Sequence, residues 1–355
     1  MRSELGAKIE SEVQEALQAD KMPGCVVAIA RQGKVVYLQA FGNRRIEPSV
    51  EPMKVDTVFD MASLTKPIVT ATSIMQLVEA GKVDLDAPVV QYLPEFRGEG
   101  KETITVRQLM IHVSGLTPDN ALRDYDHGWS EAYAKICNLS LLSEPGKQFR
   151  YSDVGFLLLG EIVKRASAQP LDEYARQHIF QPLGMNETGF NPSAALQDRA
   201  VTTTQVEDVW LQGIVHDPRA RRCGGVAGHA GLFSTAEDLL VYAQAMLDAR
   251  SEVGALLQPH TLATMTKAYD AAGNVRGLGW DKRSAYSRNR GKTMSDAAYG
   301  HGGFTGTSLW IDPQLDLVVL FLSNRVHPNG KGSVNDLAGT IGTLAADACL
   351  ADPAP

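Results

Sequence analysis

The 355-residue sequence contains only four cysteines, and no two of them form a C-x-x-C pair. Because zinc sites and disulfide frameworks use closely spaced or paired cysteines, this scatter argues against both. The sequence also lacks an H-E-x-x-H metal motif and a G-x-S-x-G nucleophile elbow. We therefore expect no metal site, no bound cofactor and no nucleophile of the α/β-hydrolase type.

Long apolar runs and blocks of like charge are missing as well. No stretch approaches the length of a membrane span, and the N-terminal residues have no apolar signal core. The net charge of −7 predicts no basic face for nucleic acid. The chain as given is expected to be cytoplasmic, although a chain trimmed of an export signal would show the same pattern. Its oligomeric state is not predicted.

Apolar patterning divides the chain into sheet-forming ends and a helical middle. The ends carry an amphipathic helix, a hairpin, three short β-rich segments and a closing helix, at residues 4–19, Gly24–Ala30 with Val35–Phe41, Tyr299–Gly303, Thr307–Asp312, Leu317–Ser323 and about Val334–Cys349. These elements predict an α/β (α+β) fold, in which terminal helices flank an antiparallel sheet and an all-α lobe is inserted. The predicted sheet domain comprises residues 1–60 and 225–355, the helical domain comprises residues 61–224, and the functional site lies between them.

The helical middle opens with Ser63-Leu64-Thr65-Lys66, which is the only S-x-x-K in the chain. Side chains three residues apart share one helix face, so the lysine amine can reach the serine hydroxyl. A serine is a weak nucleophile until a base takes its proton, and Lys66 is a candidate base if its surroundings lower its pKa. Pro67 is tolerated only near a helix start, which places Ser63 at or beside that start. Taken alone, the two residues are also compatible with a helix cap and a solvated lysine.

Two further motifs follow in the chain, Tyr151-Ser152-Asp153 before a predicted helix and His301-Gly302-Gly303 on a predicted strand. In this order and spacing the three motifs resemble those of the serine β-lactamase and penicillin-binding-protein superfamily. More narrowly, they are similar to class C β-lactamase-related hydrolases, which include family VIII carboxylesterases, D-amino-acid peptidases and muropeptide amidases. The resemblance extends over about residues 23–325, and it implies a β-lactamase/transpeptidase-like fold.

The resemblance implies a role for each matching residue. Ser63 would attack a carbonyl carbon and form an acyl-enzyme. Lys66 and Tyr151 would share the work of the general base, with Tyr151 held as a phenolate of depressed pKa. The backbone N–H groups of Ser63 and Phe304 would form the oxyanion hole.

Two departures from the lactamase pattern concern substrate binding. Asp153 stands where that pattern has Asn; an ionised carboxylate cannot donate a hydrogen bond, so it could instead hold Lys66 or cap the following helix. His301 and Gly302 replace the Lys and Thr of Lys-Thr-Gly, which weakens a built-in anchor for carboxylates. We expect Asp153, His301, Gly302, Gly303 and His229 to contact substrate, although His301 could satisfy a strand edge and His229 could order a loop.

These observations predict a cofactor-free serine hydrolase, with a carboxylesterase acting on small acyl esters as the first interpretation. The second interpretation is an amidase or D-peptidase on cell-wall muropeptides, with peptidoglycan fragments as partners and weak β-lactam acylation. The segments Val215–Asp217 and Gly224–Gly231 resemble the muropeptide-related branch and keep this interpretation close. The third is a penicillin-binding-like sensor that stays acylated.

Overall fold

The computed structural model describes residues 2–250 and 256–351. The α-helices of this part are α1 Arg2–Gln18, α2 Thr72–Glu79, α3 Val106–Met110, α4 Trp129–Cys137, α5 Asp153–Ser167, α6 Leu171–Ala175, α7 Gln181–Leu183, α8 Ala194–Asp198, α9 Pro218–Arg222, α10 Ala236–Asp248, α11 Pro259–Thr266 and α12 Asn335–Ala351. Short 3₁₀ turns lie at Ala62–Leu64, Val89–Gln91, Lys101–Thr103, Leu122–Tyr125 and Ser287–Asn289, and π-helical turns at Lys66–Ala71 and Arg176–Phe180. None of the helices in the described ranges combines the length and the hydropathy of a bilayer-crossing segment.

The strands of the described residues are β1 Gly24–Arg31, β2 Lys34–Arg45, β3 Glu51–Pro52, β4 Phe59–Asp60, β5 Gly189–Phe190, β6 Thr202–Val206, β7 Val209–Gln212, β8 Leu232–Ser234, β9 Tyr269–Ala271, β10 Asn274–Arg276, β11 Asp281–Arg283, β12 Tyr299–Gly303, β13 Thr307–Asp312 and β14 Leu317–Ser323. Nine of them form one antiparallel sheet in the order β3-β2-β1-β14-β13-β12-β11-β10-β9. Within it β1 pairs with β14, with Ala28 opposite Leu320. The predicted antiparallel sheet, built from both ends of the chain, is confirmed.

The central strands are apolar on both faces because both faces of the sheet are covered. Successive side chains of a strand point to opposite faces. Val27 therefore packs with Ile9 of α1 and Ile341 of α12, while Val26 packs into the larger core that contains Leu158 of α5. The terminal helices flank one face of the sheet, as predicted from the sequence, and the helical middle covers the other.

Local capping signals account for two helix starts. Thr105 accepts a hydrogen bond from the Gln108 N–H, and the Gln108 side chain accepts one from the Thr105 N–H, which together form a capping box at the start of α3. Thr235 caps α10 by accepting the Asp238 N–H. The division into a sheet domain and a helical domain stays a prediction.

Candidate active site

Ser63 lies in the 3₁₀ turn that runs into the π-helical turn and then into α2. The residue before it, Ala62, has φ of +46°, a left-handed conformation that non-glycine residues adopt only when their surroundings hold them there. Asp60 supplies that restraint, since its carboxylate accepts the Ala62 N–H at 2.8 Å and the His216 N–H at 2.7 Å. Burial raises the pKa of Asp60 to about 6, although both N–H bonds oppose the rise. Sequence reasoning missed this residue.

The amine of Lys66 is completely buried beside Ser63. Its Nζ lies 3.0 Å from Ser63 Oγ, 3.1 Å from the His229 carbonyl oxygen and 2.6 Å from Asp153 Oδ1. Burial alone would lower the pKa of Lys66, but the Asp153 carboxylate and the Tyr151 hydroxyl outweigh it and raise the pKa above its usual value. The resting amine is therefore an ammonium, and the condition under which Lys66 could serve as the base, a lowered pKa, is not met in the resting site.

Tyr151 lies half-buried beside Lys66, with its ring centroid 4.9 Å from Nζ. The buried His112 ring packs against it with the ring centroids 4.4 Å apart, and His112 Nδ1 accepts the Ser152 N–H, which orders this loop. Burial raises the pKa of Tyr151, and the favourable charge of Lys66 does not compensate because Asp153 acts against it. The predicted resting phenolate is therefore wrong: the resting side chain is a neutral phenol.

Asp153 is the first residue of α5, and Ser152 rather than Asp153 caps this helix by accepting the Gly155 N–H at 3.1 Å. The capping alternative for Asp153 is therefore wrong. Its carboxylate points to Lys66 instead, which agrees with the alternative that it holds the lysine. Its contact with substrate stays a prediction.

The backbone on the far side of Lys66 is positioned by glycines. A Cβ at Gly228 would lie 2.0 Å from the Phe156 carbonyl oxygen of α5, so only glycine fits there. The Gly228 carbonyl also accepts from Thr70 Oγ1 at 2.7 Å. This close packing brings the next carbonyl, that of His229, to Lys66 Nζ.

His229 is itself buried, with Nε2 3.0 Å from Asp217 Oδ1. Burial opposes ionisation of Asp217, but His229 and backbone N–H groups lower its pKa well below the usual range. Potential ligand atoms of Asp153, Asp217 and His229 lie within 4.8 Å of one another, as in a metal site. The Lys66 ammonium beside Asp153 already supplies the cation there and would repel a metal ion. Sequence reasoning had named Asp217 without identifying its histidine partner.

His301 lies on β12 with only 5% of its surface exposed. Its Nδ1 is 2.8 Å from the Gly302 carbonyl oxygen and donates to it, so Nε2 is left as an acceptor without a partner among the described residues. Burial, followed by the charges of Arg276 and Lys66, lowers the pKa of His301 well below its usual value. The side chain is a neutral acceptor and not a pH-dependent cation.

Gly303 brings β12 against the nucleophile turn. A Cβ at this position would lie 2.5 Å from the Met61 carbonyl oxygen and 2.2 Å from Thr307 Oγ1. Thr305 Oγ1 also donates to the Asp60 carbonyl at 2.7 Å, and Thr307 Oγ1 to the Met61 carbonyl at 3.2 Å. The missing side chain at Gly303 thus makes room for the backbone of Met61, whereas the sequence predicted that Gly303 contacts substrate. The oxyanion role of the Ser63 and Phe304 N–H groups stays a prediction.

A cavity of about 390 Å³ opens over Ser63, Tyr151 and His301. Two arginines that the sequence did not point to also line it, Arg276 and Arg325. The cavity is also lined by Gly302, Gly303, Tyr286 and Phe304. Asp153 and His229 do not line this cavity; they lie behind Lys66.

The charged side chains that line the cavity are Arg276, Asp281 and Arg325. Arg276 is fully buried and paired with Asp281, with Nη1 3.2 Å from Oδ1. No single-sequence signal marks Arg276, because its strand is three residues long and polar.

Known proteins resemble this chain in sequence and in fold. A curated N-acetylmuramyl-L-alanine amidase of Bacillus subtilis is 31% identical over 357 residues, covering 90% of this chain and 81% of that protein. A putative D-alanyl-D-alanine carboxypeptidase of Escherichia coli is 30% identical, covering 86% and 79%. The solved structure of EstCE1, a hydrolase with promiscuous acyltransferase activity, shares the fold with a TM-score of 0.79 at 24% identity, covering 97% and 99%.

A class C β-lactamase structure likewise shares the fold, with a TM-score of 0.79 at 19% identity and 98% of each chain covered. The Beta-lactamase family model matches residues 9–341, which include all three motifs. The chain therefore belongs to the beta-lactamase family of hydrolases.

Proposed function

We propose that this chain is a serine acyl hydrolase in which Ser63 forms an acyl-enzyme. The observation that carries the proposal is the 3.0 Å contact between Lys66 Nζ and Ser63 Oγ at the edge of an open cavity. A buried ammonium at this distance stabilises negative charge as it develops on the serine oxygen. Tyr151 lines the same cavity and is the group through which a proton reaches the leaving atom.

The N–H groups of Ser63 and Phe304 complete the proposed site as donors to the oxyanion. Ser63 begins a helical run, where N–H groups have no partner within the helix. Phe304 lies in the turn between β12 and β13, and the hydroxyls of Thr305 in this turn and of Thr307 on β13 bind the backbone before Ser63. This tie supports a fixed separation of the two donors, as electrostatic preorganisation requires.

The favoured substrates are amides of cell-wall muropeptides or related D-amino-acid peptides. The two relatives described above, which are 31% and 30% identical to this chain, are named N-acetylmuramyl-L-alanine amidase and putative D-alanyl-D-alanine carboxypeptidase, and these names support this class of substrate. Arg325 lines the cavity and pairs with no carboxylate among the described residues, so its guanidinium suits the carboxylates of such peptides; the buried Arg276 is paired with Asp281. The sequence favoured neutral esters because His301 stands where the lactamase pattern has a lysine that anchors carboxylates. Arg325 supplies a cation in the same cavity, so the missing lysine is a weaker argument for esters.

A carboxylesterase acting on small acyl esters is the second candidate. One observation favours it: His301 is a neutral acceptor and so provides no anion anchor on β12 itself. The similarity to EstCE1 adds only the shared fold.

A substrate panel tests both candidates. Muramyl peptides, D-Ala-D-Ala peptides, a chromogenic cephalosporin and p-nitrophenyl esters are compared by kcat/KM, and intact mass identifies the acylated residue. We expect a peptide amide to be the best substrate and the acyl group to lie on Ser63. Ser63→Ala should remain folded and lose both turnover and labelling by a fluorophosphonate. Labelling of Ser63→Ala at the wild-type rate contradicts the proposed nucleophile, and acylation without turnover supports a sensor.

A further inference from the structure

The amine of Lys66 has an oxygen partner for each of its three hydrogens. These partners are Ser63 Oγ, the His229 carbonyl oxygen and Asp153 Oδ1, at 3.0, 3.1 and 2.6 Å. The Tyr151 hydroxyl is a further partner of this amine, and the three donors of the ammonium are shared among these oxygens. Asp153 is the only carboxylate among the three partners, and it is the nearest.

This arrangement leaves Ser63 without an adjacent free base. Lys66 is an ammonium, so its nitrogen has no free lone pair to accept a proton. Tyr151 is a neutral phenol that keeps its hydroxyl proton. The Asp153 carboxylate cancels the charge of Lys66, and so it also cancels the field that would turn Tyr151 into a phenolate. A chain with asparagine at this position would keep that field.

We propose that Asp153 is the final acceptor of the Ser63 proton, which it receives through the amine of Lys66. Nζ gives one of its protons to Asp153 Oδ1, and the neutral amine so formed takes the Oγ–H proton as the Ser63 Oγ–carbon bond forms. Lys66 is an ammonium before and after, and the negative charge moves from Asp153 to the oxyanion. When the leaving group departs, Asp153 returns its proton to Nζ, Nζ passes one proton to the Tyr151 hydroxyl, and Tyr151 gives its own proton to the leaving atom, so that Asp153 is a carboxylate again. The inference rests on the proposed function, because it concerns the step in which Ser63 attacks.

The geometry separates Asp153 from the other nearby carboxylates. The Asp217 carboxylate binds His229 and the N–H groups at the start of α9, and neither of its oxygens forms a hydrogen bond or an ion pair with Lys66. Asp119 is paired with Arg219 at 3.4 Å. Only Asp153 joins the serine to a carboxylate through a single intervening atom, Nζ.

The main test compares Asp153→Asn with Asp119→Asn, which removes a neighbouring negative charge without touching Lys66. For Asp153→Asn we expect kcat to fall by about a hundredfold or more, the scale of general-base catalysis, with little change in KM. Asp119→Asn should keep kcat within about threefold of wild type, as a local charge change would.

Several other ionisable groups face this carboxylate. They are Lys66 from the π-helical turn, Tyr151 beside its own helix, Asp119 from the preceding loop, and Asp217 and His229 from the segment behind the lysine. A role in positioning alone predicts a different result, because asparagine would leave Lys66 charged and lower the pKa of Tyr151. An Asp153→Asn enzyme as fast as wild type, with a tyrosinate absorbance band appearing at lower pH, overturns the proposal.

A second pair of variants covers the case in which Asp153→Asn does not fold. Asp153→Glu and Asp153→Gln have equal length, and only the glutamate can accept the proton. Activity in Asp153→Glu with loss in Asp153→Gln supports the proposal, and equal rates overturn it. If wild-type Ser63 is not acylated by any ester or peptide, the proposed function itself fails; normal acylation with equal rates in the two variants rejects only the role of Asp153.

Discussion

Replacing Gly303 by alanine should impair the oxyanion hole without touching any catalytic side chain. The added Cβ would lie 2.5 Å from the Met61 carbonyl oxygen, and ordinary contacts of this kind are longer than about 3.3 Å, so β12 must retreat by roughly 0.8 Å. The Phe304 N–H follows this strand and would move with it. Loss of one oxyanion donor costs about a hundredfold to a thousandfold in kcat, and misfit of the new methyl costs about 1–3 kcal/mol of stability.

The assay is steady-state turnover of a p-nitrophenyl ester, together with urea unfolding to measure the stability change. Gly189→Ala is the matched control, because a Cβ there meets nothing within 4 Å and its backbone is not left-handed. We expect a large loss in kcat with a small change in KM for Gly303→Ala and no change for the control. A folded Gly303→Ala enzyme with the kcat of Gly189→Ala would refute the link between this contact and the oxyanion donor.

Three other perturbations give distinct expected outcomes. Lys66→Ala and Tyr151→Phe should each lower kcat by about a hundredfold to ten-thousandfold, and the double variant should be little worse than either, since groups that act as a unit are not additive; fully multiplicative losses in kcat contradict this. His301→Lys should lower the midpoint of thermal unfolding, because it buries an ammonium near the charges of Arg276 and Lys66, and a large gain in carboxylate affinity without loss of stability would argue against that placement. Asp60 has a raised pKa in the folded state, so its contribution to stability is complete below about pH 4 and is lost as the pH rises through about 6, a change of roughly 3 kcal/mol. Urea unfolding at several pH values should show this loss in wild type and not in Asp60→Asn; equal pH dependence in both proteins would contradict it.

Local patterns predicted the elements that depend on local chemistry. The three strands β12, β13 and β14 have the bounds expected from the sequence, because each is a short segment that ends at a turn. Strands β9 to β11 were not predicted, since each has three residues, is largely polar and shows no alternation that a sequence pattern could reveal. The sheet is consequently wider than the sequence indicated.

The motifs correctly predicted that Ser63, Lys66 and Tyr151 lie together. They did not predict the protonation states of Lys66 and Tyr151. Those states depend on burial and on which partners surround each group, and the partner of Lys66 is a carboxylate from a helix 87 residues away in the chain. The same limit applies to Arg276 and Asp60, whose importance comes from what folds around them. A spacing rule identifies which side chains can meet and leaves the local electric field undetermined.

One consequence follows from the way in which the His229 carbonyl reaches Lys66. The contact is made by main chain, so replacing the imidazole leaves that oxygen in place as long as the backbone path is kept. The path itself depends on Gly228, which sits against α5 with no room for a methyl group. We therefore expect substitutions of His229 to preserve the carbonyl contact with Lys66. Substitutions of Gly228 should disrupt this contact, although glycine has no side chain.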